Sequence, residues 1–120
     1  MSGDAYVACD GDGRIAAYAY ITAQPEPAYD SPDVHWHYNG PYMVIHRLAV
    51  SALSRGCGLG RMMLLHAEKV CCDHGIGCIK VDTNHDNAEM LHLLDSLGYA
   101  RRGNVSYGPR GERIAFEKTL

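Results

Sequence analysis

Basic residues are not in excess in this chain. Lys and Arg number 11 against 14 Asp and Glu, a formal net charge of −3 at pH 7. A general binder of nucleic acid or of anionic membranes needs a basic surplus or a basic stripe, and neither is present. Long apolar runs are also missing, and none approaches the roughly 20 residues of a membrane-spanning helix. The opening Met1-Ser2-Gly3-Asp4 has no basic and apolar leader, so export is not expected and a cytoplasmic, soluble chain is. The five cysteines are odd in number and have no framework spacing, which reads as reduced thiols rather than disulfides. Without export the Asn104-Val105-Ser106 sequon carries no meaning.

What is present fits one domain. The 120 residues are 47% hydrophobic and 21% charged, the balance of an ordinary globular protein with a modest core. The whole chain, 1–120, is read as a single domain without repeat or low-complexity segment. Ala5–Cys9 and Arg14–Ile21 are apolar runs around Asp10-Gly11-Asp12-Gly13, a hairpin signal. An EF-hand reading of that turn lacks its later oxygen ligands and closing Glu. Thr22–Asn39 has no period and reads as a long surface loop. Tyr42–Val50 is a strand whose alternation sets Val44, His46 and Leu48 on one face, and Ile45, Arg47 and Ala49 on the other.

After the Ser51–Gly58 turn, Leu59–His74 places Leu59, Met62, Met63, Ala67, Val70 and Cys71 at helical spacing, stopped by Gly75 and Gly77. Cys78–Thr83 is a strand. Asn87–Leu97 is a second helix with Met90, Leu94 and Leu97 aligned, ended by Gly98. Tyr99–Tyr107 and Arg113–Lys118 are strands around Gly108-Pro109-Arg110-Gly111. The order is β-β-β-α-β-α-β-β. The helix between Tyr42–Val50 and Cys78–Thr83 makes a central parallel βαβ pair, and the terminal hairpins add antiparallel strands. The expected class is a mixed, mostly antiparallel α/β (α+β) sheet domain.

The segment richest in chemistry is Arg55-Gly56-Cys57-Gly58-Leu59-Gly60-Arg61, between a strand and a helix. Its glycines let a ligand approach the backbone, and the helix start offers unpaired N–H groups and a positive dipole end. Together these suit a phosphate or pyrophosphate, with Arg55 and Arg61 at the rim. A P-loop is excluded because no Gly-Lys-Ser/Thr follows. The dinucleotide fingerprint is excluded because Met63 stands where its third glycine belongs.

His46-Arg47-Leu48-Ala49-Val50 followed by Arg55-x-x-Gly58-x-Gly60 resembles the central acetyl-CoA motif of the GNAT superfamily of N-acetyltransferases. Asp82-Thr83-Asn84, Asn87-x-x-Met90 and Leu93-Leu94-Asp95-Ser96-Leu97-Gly98-Tyr99 resemble the family's next block, and Arg113–Lys118 resembles its closing strand. The resemblance implies that backbone groups of Leu48, Ala49 and Val50 pair with the pantetheine arm of acetyl-CoA. It also implies that amides of Gly56, Cys57, Gly58, Leu59, Gly60 and Arg61 hold the pyrophosphate, and that Asn84 and Asn87 face the cofactor. The implied activity is direct acetyl transfer to a primary amine, small or part of a larger molecule, in a ternary complex. A non-catalytic acyl-CoA-binding or dimeric regulatory module of the same fold is the alternative.

His46 is the candidate base, since an imidazole titrates near neutrality. The family's frequent strand Glu falls at Val44 here, and its frequent helical Tyr falls at Leu94, so the general acid is unassigned. Tyr99 or a water would substitute, or the thiolate would leave without help. The chain is short at its front relative to the family pattern, which implies a truncated or minimal member, one completed by a partner chain, or a remnant that binds cofactor without catalysis; an uncovered strand or apolar face would favour a homodimer. His35, Trp36, His37 and Tyr42 are the candidate acceptor-site residues. No metal is expected: His35-x-His37 and the Cys71, Cys72, His74, Cys78 group lack paired zinc-ligand spacing, and Cys71 falls on the packed helix face. Cys57 has no His beside it in sequence to activate it as a nucleophile.

Overall fold

The computed structural model describes residues 3–54, 56 and 58–120. Its strands are β1 (Asp4–Cys9), β2 (Ile15–Thr22), β3 (Met43–Val50), β4 (Cys78–Thr83), β5 (Ala100–Ser106) and β6 (Glu112–Thr119). The helices are α1 (Leu59–Asp73) and α2 (Ala88–Ser96). They form one sheet in the order β1-β2-β3-β4-β6-β5, antiparallel except for the β3–β4 pair. The mixed class and the parallel βαβ centre are as expected from the sequence.

The β1–β2 turn closes through Asp10, whose Oδ1 accepts the amides of Asp12 at 2.9 Å and Arg14 at 3.0 Å. Both helices end in a Schellman motif. Ile76 N donates to Cys71 O at 2.9 Å after α1, and Tyr99 N donates to Leu94 O at 3.0 Å after α2.

Both βαβ crossovers step in the same direction along the sheet, so right-handed connections lay both helices on one face. There Met63, Leu64, Ala67, Val70 and Cys71 of α1 and Leu94 of α2 pack on Ile45, Ile79 and Val81. Met62, expected on the packed face, is 46% exposed, and Leu64 is fully buried instead. Residues 62–65 are all apolar, so the local pattern carries no phase, and the sheet selects which of them turn inward.

Among the described residues no α-helix covers the opposite face. The segment between β2 and β3 does so, correcting its reading as a plain surface loop. Tyr29 and Val34 bury against Val44, Val105 and Ala115, with Trp36, Tyr42 and Tyr107 around them. Gly103 permits this close approach: a Cβ there would lie 2.2 Å from Asp33 O. The segment is tied down further by Glu117, buried in β6. Its carboxylate accepts His37 N at 3.0 Å, Tyr38 N at 3.2 Å and Arg102 Nε at 2.8 Å. Among the described residues no helix is long and apolar enough to cross a membrane.

Candidate active site

Strands β3 and β4 run together only from Met43↔Ile79 to Ile45↔Val81. Beyond that point they part, and the His46–Val50 stretch pairs with β2 alone, leaving its other backbone edge free. A cavity of about 380 Å³ opens beside this edge. Leu48, Ala49 and Val50 form one wall, and Gly56, Gly58, Leu59, Gly60 and Arg61 form its end. Asn87, Met90 and Leu93 close it from α2.

Gly58 is the N-cap of α1, in the left-handed conformation at φ 75°, and caps no amide with a side chain. The α1 start therefore presents N–H groups and the dipole's positive end to the cavity. Space above Gly58 is open, since a Cβ there would meet nothing within 4 Å. A free strand edge for an amide-bearing arm, next to an uncapped helix start for phosphates, fits coenzyme A. Arg55 and Cys57 lie outside the described residues.

The β3 backbone is bulged. Tyr18 pairs with Ala49 and Tyr20 with His46, so Arg47 and Leu48 together oppose Ala19. Arg47 has φ 57°, the one positive φ on a non-glycine among the described residues. The bulge corrects the expected alternation. Leu48 packs with Ile45 against the helix-side core, not on the face of Val44.

On the helix-free face lies a second, larger groove of about 860 Å³, lined by Tyr18, Tyr20, Glu26, His46, Arg47 and Asp82. Asn84, Tyr107, Arg110 and Arg113 complete it. The His46 ring stacks obliquely near Tyr20, with centroids 6.2 Å apart. Its Nε2 lies 3.9 Å from Glu26 Oε2, while Glu26 Oε1 accepts the Ala28 amide at 3.2 Å. Asp82 Oδ2 accepts the hydroxyls of Tyr29 at 2.9 Å and Tyr107 at 2.6 Å, and Oδ1 accepts Arg113 Nε. Burial, together with the Asp82 charge and hydrogen bond, pushes both phenols above their ordinary pKa. They remain protonated donors at neutral pH.

The sequence-derived candidates thus divide. Leu48–Val50, Gly56, Gly58–Arg61 and Asn87 share the smaller cavity. Asn84 lies in the larger groove, where its Oδ1 accepts from Arg113 at 3.1 Å. Asn87 Oδ1 caps α2 by accepting Met90 N at 3.2 Å. Asn87→Ala should therefore cost about 1 kcal/mol of stability in denaturant unfolding, whatever it does to ligand binding.

His35, Trp36, His37 and Tyr42 line neither cavity. Trp36 Nε1 donates to Tyr29 O at 2.8 Å, and the Trp36 and Tyr42 rings flank the Lys80 ammonium at 4.4 and 4.0 Å. Tyr99 is buried on the helix side with its hydroxyl on Glu68, and Leu94 is core. Burial raises the thiols of Cys71 to about 12 and Cys78 to about 11, so both stay protonated. Glu26, Asp82, Tyr107, Arg110 and Arg113 were not singled out from sequence; only the fold assembles them.

A sheet split beside a glycine-led helix, with a cavity on either side of the split strand, is the architecture of an acyl-CoA-dependent acetyltransferase. The family model for acetyltransferase (GNAT) matches residues 2–99, and the chain belongs to that family. A GNAT-family acetyltransferase structure from Streptococcus agalactiae 2603 superposes with a TM-score of 0.78 at 32% identity, over 97% of this chain and 65% of that one. IAA acetyltransferase from Bacillus cereus ATCC 14579 gives 0.78 at 20% identity, over 98% of this chain and 78% of that one, a likeness of fold. Mycothiol acetyltransferase of Rhodococcus opacus (strain B4) is 33% identical over 57 residues, 48% of this chain and 19% of that protein. The chain thus spans less than two thirds of the Streptococcus and Rhodococcus relatives.

Proposed function

We propose that the protein is an N-acetyltransferase that moves an acetyl group from acetyl-CoA to a primary amine by direct attack, with both substrates bound. The observation that carries this reading is the split between β3 and β4, which puts the two cavities on either side of the His46–Leu48 stretch. The smaller cavity would hold the donor, with amides from Gly56 to Arg61 on its pyrophosphate and the free edge of Leu48–Val50 along its arm. Acetyl-CoA supplies the acyl group already activated as a thioester. The larger groove would hold the amine, and fixing both reactants beside β3 supplies the proximity that a bimolecular reaction lacks. A β3 N–H on the edge that β4 leaves unpaired would stabilise charge on the carbonyl oxygen.

His46 would take the proton from the amine, with the Glu26 carboxylate 3.9 Å away to favour the imidazolium that forms. Tyr107 is part of the groove wall, and both it and Tyr29 are bound to Asp82. The general acid stays unassigned.

Calorimetric titration with acetyl-CoA, followed by an amine screen for thiol release, tests the whole reading. Binding without release for any amine would leave a non-catalytic acyl-CoA-binding module. His46→Ala should lower kcat/KM about 100-fold and flatten the acidic limb of its pH profile. An unaltered profile would return His46 to a packing role.

A further inference from the structure

Charges of both signs line the larger groove, and their pairing is uneven. Arg113 is used within the wall, bound to Asp82 and Asn84. Asp82 is filled by Arg113 and two phenols. Glu26 keeps Oε2 on the groove side near His46 while Oε1 holds the Ala28 amide.

Arg47 and Arg110 line the same groove, are exposed, and form no ion pair with a carboxylate among the described residues. Arg110 stands at the rim, its guanidinium 5.7 Å from the centre of the Tyr107 ring. Arg47 is held in a left-handed conformation that an L-residue with a long side chain rarely adopts. Ile45, His46 and Arg47, consecutive in sequence, all line this groove at the point where the bulge breaks the strand. Strain kept at such a position calls for a functional explanation.

We infer that the acceptor is a small amine that also carries an anionic group, as a free amino acid does. Its amine sits beside Glu26 and His46, and its anion sits against Arg47 and Arg110. The inference rests on the transferase reading above and narrows its substrate class. A diamine or polyamine would meet two like-charged guanidiniums, whereas a zwitterion offers both the arginines and the Glu26 carboxylate an opposite charge. Guanidinium–carboxylate pairs are charge-assisted, and a site built around them rejects an analogue that lacks the anion.

The test uses saturating acetyl-CoA and thiol release as the readout. The acceptors are glycine, β-alanine, γ-aminobutyrate and δ-aminovalerate, their primary amides, and diamines of matched length. At the best-fitting length the acid should exceed its amide and the diamine by about tenfold or more in kcat/KM. Arg110→Ala and Arg47→Gly should each bring the acid-to-amide ratio towards one. Arg47→Gly places at φ 57° a residue suited to it, so misfolding is not expected to confuse the result. Equal or better turnover of amides or diamines overturns the inference alone, as does a ratio that persists in both variants. Acetyl-CoA binding without release from any acceptor overturns the transferase reading and this inference with it.

Discussion

Gly58→Glu is expected to remove acetyl-CoA binding, with a loss of at least about 1000-fold by calorimetry, because two or more charge-assisted bonds to phosphate are lost together. Gly58 sits at φ 75° and ψ 15°, where a side chain costs about 1–2 kcal/mol. That cost is local. A carboxylate at a helix N-terminus also interacts favourably with the dipole, and the space above Gly58 is empty, so the fold should survive. The ligand fares differently, since the new carboxylate covers the α1 amides and repels the phosphates they would hold. Gly58→Ala separates the two effects: it keeps the backbone strain without the charge and should retain most of the affinity. Unchanged affinity in Gly58→Glu would remove the pyrophosphate assignment.

The parts of this site that are legible in the sequence are those made by neighbours in the chain. The glycine-rich turn, the helix that follows it and the strand before it are continuous, and their residues meet in one cavity. The larger groove was not legible, because Glu26, His46, Asp82, Tyr107 and Arg113 come from separate elements that meet only across the sheet. The bulge at Arg47 was equally hidden. No glycine or asparagine marks it, and one extra residue reverses the facing of everything after it. Trp36 illustrates a third kind of miss. An aromatic in a Pro-rich, Asp-rich segment reads as a surface feature until the fold shows that this segment, and no α-helix among the described residues, covers the opposite sheet face.

The same cover depends on Glu117, and Glu117→Ala should be strongly destabilising, by about 3–5 kcal/mol, because it strips a buried ionic cluster of its anion. Arg102 and Lys80 would both lose the carboxylate, which lies 2.8 Å from Arg102 Nε and 4.0 Å from Lys80 Nζ. The amides of His37 and Tyr38 would lose their acceptor as well. Denaturant unfolding should show the loss directly, and the melting temperature should fall by roughly 10–20 °C. A change under about 1 kcal/mol would mean that the cluster merely offsets its own desolvation.

Acidity offers an independent check. Burial works against the Glu117 carboxylate, but Arg102 and the two amides outweigh it and hold its pKa below the usual value. Its stabilisation is therefore complete above the unfolded glutamate pKa of about 4.3, and is lost as pH falls through the lower folded value. The wild-type chain should weaken across that acidic window, and Glu117→Gln should show a shallower fall. Function should register the change as well. Glu117 anchors the segment that carries Glu26 to the groove, so partial loosening in Glu117→Gln should raise the acceptor KM while acetyl-CoA affinity, set on the other side of β3, changes little.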